Sequence, residues 1–209
     1  LHGDVLMWLM KTLLTSGCTN QRGAGQASFS NNIKINGVSV SSTEPRYSNR
    51  SWTGTEVTRS TGIQYYKLEF TLTFKQQSLA EYQAFVAEYS RGKPFPFSLG
   101  HMGVYKGSQS GAVSVSAQAL KGSYQVSSTA NTLEIGSLIQ FTNHSKIYRI
   151  IGRTGNVLQL FPNLRENVQT GETILYNNLQ GTFTLDIENE YKVPVNNIMS
   201  VNLKATEYL

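Results

Sequence analysis

Residues 65–99 read YYKLEFTLTFKQQSLAEYQAFVAEYSRGKPFPFSL, and the change of period inside this stretch decides the fold. Tyr66, Leu68, Phe70, Leu72 and Phe74 alternate with Lys67, Glu69, Thr71 and Thr73. That two-residue period puts every apolar side chain on one face of a β-strand. From Ser78 the period lengthens. Leu79, Tyr82, Phe85, Val86 and Tyr89 recur at helical spacing and form one apolar stripe over about three turns. Ser78 with Glu81 three residues on has the form of a capping box, in which each side chain satisfies an orphan N–H at the helix start. Arg91 suits the negative end of the helix dipole, Gly92 can take a left-handed cap and Pro94 forbids continuation. The pattern predicts a helix over 78–91, the one helix expected between residues 20 and 209. Its stripe is expected to lie on the apolar face of the strand before it.

Working outward, Ile33–Ile35, Asn36-Gly37 and Val38–Val40 carry the signature of a hairpin about a type I′ turn. Residues 41–62 are polar, with Arg46, Arg50, Arg59 and Trp52, and read as a long loop or as a strand wet on both faces. After Leu99 the texture changes to Gly, Ser, Ala and Val. Short alternating segments follow around Val113, Val126, Leu138–Phe141, Lys146–Ile151, Val157–Phe161 and Thr173–Tyr176, with turns at Asn143-His144 and Gly155-Asn156. Short strands at such spacing argue for a small barrel or sandwich, of which an inserted barrel is the simpler reading. The earlier style then returns: Phe183, Leu185 and Ile187, and later Val201, Leu203 and Ala205, face one way. The expected organisation is an N-terminal arm (1–32), a β host domain (33–100 and 178–209) and a barrel module inserted between them (101–177).

Composition narrows the function classes. The 209 residues carry a net charge of +5, but only 15% are charged. The basic residues are scattered, with no run of three, which argues against a nucleic-acid footprint. Cys18 is alone and can form no internal disulfide. Leu1–Leu14 is apolar but interrupted by Asp4 and Lys11, and is too short to span a bilayer. Met10–Cys18 makes a poor lipoprotein signal, since Thr15 stands where Leu is wanted; the segment is expected to remain on the chain. Val5, Leu6, Trp8, Leu9 and Leu13 read as a short amphipathic helix or an adhesive arm, suited to a neighbouring subunit or to the chain's own domain.

A catalytic constellation is not legible. His2, His101 and His144 lie far apart without metal-type partners at short spacing. His144, beside Lys146 and Tyr148, could touch a ligand, but reads first as a polar turn residue. Asp186, Glu188 and Glu190 alternate, which fits a solvated strand face before a cation site. No glycine-rich loop opens a helix, so a phosphate cradle is unsupported. The expectation is a non-enzymatic chain without cofactor or metal.

Two features carry a family resemblance. One is the order of an arginine-containing polar segment, the strand YYKLEFTLTF, the helix LAEYQAFVAEY and then Gly92-Lys-Pro-Phe-Pro-Phe97. The other is the module Gly136-Ser-Leu-Ile-Gln-Phe, Asn143-His-Ser-Lys-Ile-Tyr-Arg-Ile, Leu160-Phe-Pro-Asn-Leu-Arg165 and Gly171-Glu. Over roughly residues 40–209 the chain resembles the distal tail and related baseplate or minor tail proteins of tailed bacteriophages. It departs from their pattern at Ser137, where Asp is frequent, and at Asn163, where a second Pro is frequent. The resemblance implies a mainly β fold: a tail-tube-like β-sandwich with one packed helix, plus the inserted small barrel. It implies a structural virion protein, made in the host bacterial cytoplasm. As a ring, usually a hexamer, it would sit at the end of the tail tube and join the tube to the baseplate hub and to receptor-binding or tail fibre proteins. No membrane partner is implied, and DNA would only pass through the ring lumen. A host-surface glycan-binding role for the barrel is the alternative. Trp8, Arg46, Arg50, Trp52 and Arg59 are the interface candidates, because Trp and Arg are favoured anchors; the plainer expectation for Trp52 is burial.

Overall fold

The computed structural model describes residues 29–208. The fold is mainly β, with a single α-helix among the described residues. Five strands form the host sheet: β1 (Lys34–Thr43), β4 (Tyr65–Lys75), β13 (Ile198–Glu207), β12 (Gln180–Leu185) and β5 (Phe95–Ser98), in the spatial order β1-β4-β13-β12-β5 and antiparallel throughout. The alternation read in β4 holds residue by residue: Tyr66, Leu68, Phe70, Leu72 and Phe74 are buried. Met199, Val201, Leu203 and Ala205 of β13 join them on the same face. Helix α1 (Leu79–Tyr89) lies on that face. Tyr82 stacks on Phe74 at 5.0 Å between ring centroids, and Phe85 meets Phe95 edge-on at 5.7 Å. The opposite face of the sheet is polar and laced by side-chain bonds; Asn202 Nδ2 donates to Glu69 Oε1 at 2.8 Å.

The helix is shorter than its pattern, because Gln76–Ser78 forms a 3-10 turn and Arg91 falls beyond the last turn. Gly92 takes the left-handed conformation at φ +84°. The expected capping box does not form. Ser78 makes no side-chain cap bond. Glu81 instead accepts from the backbone N–H of Ser30 and, at 2.7 Å, from its hydroxyl. The carboxylate thus ties the incoming chain to the helix start, where Phe29 packs on Phe85 at 4.7 Å.

A second correction concerns Asn36-Gly37. The two residues do not turn the chain; β1 runs straight through them. Gly37 sits at φ +59°, and the register slips from Asn36↔Thr71 to Ser39↔Glu69, a β-bulge. The same left-handed backbone serves a type I′ turn and a bulge, so local chemistry cannot separate them. Ile187 is a third: β12 ends at Leu185, and Ile187 stands fully exposed in the following loop.

Between β5 and β12 lie β6 (Val113–Ser114), β7 (Gln125–Ser127), β8 (Leu138–Phe141), β9 (Ile147–Thr154), β10 (Val157–Phe161) and β11 (Thr173–Leu175). They pair in the order β6-β11-β8-β9-β10-β7. The two ends of that order meet: Val115 bridges Ser128, and Thr129 N donates to Ser114 O at 2.8 Å. The sheet therefore closes on itself around Val113, Leu133, Ile139, Phe141, Ile150 and Leu158. Where the chain enters this unit, Gly103 lies against the returning backbone. A Cβ there would stand 2.9 Å from Leu179 O, so glycine is required by close approach.

Burial pushes the hydroxyls of Tyr82 and Tyr148 up to about 12. Unfolded tyrosine ionises near 10. Between those values the folded chain keeps protons that the unfolded chain has lost, so the stability these two residues contribute is complete below pH 10 and disappears as pH rises through about 12. In an alkaline titration followed by tyrosinate absorbance, part of the signal from the 11 tyrosines is expected to appear late and together with loss of structure. Complete ionisation near pH 10 in a still-folded chain would contradict this.

Candidate functional site

The polar stretch after β1 is a two-stranded ribbon, β2 (Arg46–Arg50) paired antiparallel with β3 (Glu56–Ser60). Every strand residue of it is exposed. The reading as a strand wet on both faces holds. The tip closes where Gly54 N donates to Ser51 O at 2.9 Å, with Gly54 at φ +84°, and where Ser51 N donates to Thr55 O at 2.8 Å. The base closes on Pro45 O, which accepts from the Thr61 hydroxyl at 2.6 Å. An isolated ribbon of this kind buries little and is marginal by itself, so its free faces are available to a partner.

Residues directly opposite each other in such a pair share a face. Tyr47 faces Arg59 and Asn49 faces Val57. The other face holds Arg46, Ser48 and Arg50 against Ser60, Thr58 and Glu56. The first face therefore joins two apolar side chains to a cation with no carboxylate beside it. Tyr47 is 74% and Val57 64% exposed. At the tip Trp52 is 107% exposed, which overturns the plainer expectation of burial. Arg46, Arg50 and Arg59 make no hydrogen bond or ion pair among the described residues. Four of the five interface candidates thus come together on one ribbon; Trp8 lies outside the described residues.

A second feature is a buried polar junction between the barrel and the host sheet. Lys146, from the barrel, spends all three ammonium protons on host residues: Gln64 O at 3.0 Å, Gln64 Oε1 at 2.7 Å and Glu207 Oε2 at 2.6 Å. Glu207 Oε2 also accepts from Tyr66 N at 2.9 Å. The Tyr66 ring stands 5.1 Å from the ammonium. Burial is the main force on Lys146 and lowers its pKa, with the Glu207 charge opposing. His144 is also buried, against its reading as an ordinary polar turn residue. Its Nε2 lies 3.3 Å from Asn167 O and 4.0 Å from Glu172 Oε1, and its ring packs on Phe141. Glu172 in turn accepts from the N–H groups of Asn143 and Gln169, both at 3.1 Å. These groups fix loops; each has a structural partner inside the protein.

Beside the junction runs an open groove of about 610 Å³, lined in part by Met102, Val104, Tyr105, Glu134, Ile135 and Arg149. Glu134 is held down to about 2, first by the Ser108 N–H and then by the Tyr105 hydroxyl. Its chemistry is that of a fixed anion, not of a group that exchanges protons at neutral pH. No group of three or more His, Cys, Asp or Glu side chains able to hold a metal occurs among the described residues. Asp186, Glu188 and Glu190 do not form a strand row: they lie beyond β12, where Asp186 accepts from the Thr206 hydroxyl at 2.6 Å and Glu190 pairs with Lys192. No helix is long and apolar enough to cross a membrane among the described residues.

Compared with known proteins, the chain matches no family model and no curated sequence.

Sequence reasoning missed Tyr47 and the Lys146–Glu207 junction. A signal for the latter existed. Two-residue parity from Val201 through Leu203 and Ala205 places Glu207 on the buried face, where a carboxylate requires a cationic partner.

Proposed function

We propose that the chain is a structural subunit of a phage tail, assembling with copies of itself into a ring at the distal end of the tail tube and joining the tube to the baseplate hub and receptor-binding apparatus. The observation that carries this reading is the ribbon: a wholly exposed two-stranded arm whose arginines and tryptophan have no side-chain partner among the described residues. Trp, Tyr and Arg on one projecting element are the composition of an interface anchor. The sequence resemblance supplies the setting, and ring closure is the symmetric way for identical subunits to satisfy a surface that one copy cannot. The buried junction suits the same role, since a barrel held to its host by a desolvated ion pair can carry attached proteins without swinging.

The test is electron microscopy of purified particles with this chain labelled. The expected result is a closed ring of copies at the tail end. Label elsewhere in the particle, or single isolated copies, would remove the proposal.

A further inference from the structure

The buried junction holds the three parts of an acyl-transfer reaction. Lys146 carries an amine, Gln64 a carboxamide and Glu207 a carboxylate, and the residues are 3%, 1% and 4% exposed. Lys146 Nζ lies 2.7 Å from Gln64 Oε1 and 2.6 Å from Glu207 Oε2. The carboxamide carbon is one C=O bond, about 1.2 Å, beyond that oxygen, so the nitrogen stands at most about 4 Å from it, against about 3–3.5 Å for attack.

The neighbours hold these groups in place. Gln64 Nε2 donates to the Ser42 hydroxyl at 2.9 Å, and Glu207 Oε2 accepts from Tyr66 N at 2.9 Å. The second carboxylate oxygen, Oε1, is buried without a hydrogen-bond partner among the described residues. Removal from water favours a neutral amine and acid over separate ions. Burial accordingly lowers the pKa of Lys146; the Glu207 charge opposes, and the Arg165 charge adds to the lowering.

We propose that Lys146 and Gln64 join in an amide bond, which ties the barrel covalently to the host sheet. Glu207 first takes one proton from the ammonium. The freed lone pair of Nζ forms a bond to the Gln64 carboxamide carbon, and the carbonyl electron pair moves onto Oε1. Glu207 then hands its proton to Nε2 and takes a second from Nζ. The carbonyl re-forms, the bond from carbon to Nε2 breaks, and ammonia leaves, carrying off the last proton as ammonium. The products are one secondary amide and one ammonium ion, with the carboxylate restored, so no co-reactant enters. Glu207 is the base and acid of this step; the Ser42 hydroxyl and the Tyr66 N–H only position the reacting groups. The ion pair is the state before the bond forms, so stability is compared between chains of one mass. The ring reading neither requires this bond nor fails with it.

The experiment is mass spectrometry of the full chain, kept folded at neutral pH and then denatured. The expected mass is that of the sequence less one ammonia. After trypsin, residues 60–67 and 122–149 are expected as one joined species, because an acylated Lys146 is not cleaved. Glu207→Gln removes the base with little change of shape and should slow the joining at least about a hundredfold. Lys146→Met should abolish it. A chain held in urea throughout should keep its full mass, because only the fold brings the groups together. A folded wild type that stays at full mass overturns the proposal, whether or not any variant folds. So does the same mass lost as a cyclic imide at Asn36-Gly37 with the two peptides separate. Joining at the wild-type rate in Glu207→Gln would overturn the assigned base.

Discussion

Replacing Glu207 with Ala is expected to cost about 3–5 kcal/mol of unfolding free energy, the range for removing one partner of a buried ion pair. The pair is well placed to give the full effect. The side chains of Lys146 and Glu207 are 4% and 0% exposed, and their charged atoms are 2.6 Å apart. Without the carboxylate, the ammonium keeps only the two Gln64 oxygens, and Tyr66 N loses its acceptor. Burial already lowers the pKa of Lys146, and the Glu207 charge is what opposes that fall. Lys146→Met alone should be costly too, since it strands the Glu207 carboxylate, whose Oε1 has no hydrogen-bond partner even in the wild type. The double variant Lys146→Met with Glu207→Ala should lose less than the sum of the two, because no lone charge remains. It should not recover fully, because Gln64 O and Tyr66 N stay unsatisfied. Urea unfolding of the four proteins closes the cycle. A loss below about 1 kcal/mol for Glu207→Ala, the size of an exposed pair, would mean that water reaches the junction. The consequence for function is mechanical: these contacts join the barrel to the end of the host sheet. Small-angle scattering of the variants under folding conditions should show the barrel's position loosened before either core melts.

Phe85→Ala should be comparably damaging, about 3–5 kcal/mol, as expected when a buried Phe is truncated. Phe85 is 6% exposed and is the centre of an aromatic cluster. Its ring lies 4.7 Å from Phe29, 5.0 Å from Tyr89 and 5.7 Å from Phe95. It joins three parts of the chain at once: the incoming segment, the helix and strand β5. An eleven-residue helix is marginal in isolation, so α1 depends on this packing for its existence. Loss of helical circular dichroism should therefore follow the global transition and not precede it. A variant that loses less than about 1 kcal/mol would show that the neighbouring rings collapse into the space.

These two expectations also separate what was legible in the sequence from what was not. The aromatic stripe that contains Phe85 was plain, because burial on one face of a helix imposes its own period. The same holds for Leu68, Phe70 and Leu72 in β4 and for the short strands of the barrel. Each of these is a local pattern that a single face of a sheet enforces on its own residues. Arg46, Arg50, Trp52 and Arg59 could be picked out by residue type, yet the sequence left their segment as either loop or strand. Their gathering on one ribbon came from pairing across the turn at Ser51–Thr55.

Four features depended on partners distant in sequence. Glu81 looked like half of a capping box with Ser78, but its partner is Ser30, 51 residues away. Lys146 looked like the start of a strand; it is bonded to Gln64, 82 residues away, and to Glu207, 61 residues away. His144 looked like a turn residue, and the Asn167 and Glu172 segments bury it. Asn36-Gly37 had the chemistry of a turn, and the continuous ladder to β4 made it a bulge. The sequence by itself determined which side of each element is apolar, because that follows from a period of two or 3.6 residues and the cost of wetting oil-like surface. Only the tertiary structure decided which polar groups are desolvated and with whom they pair, because a buried charge is stabilised by the atoms the fold brings to it and not by its neighbours in the chain.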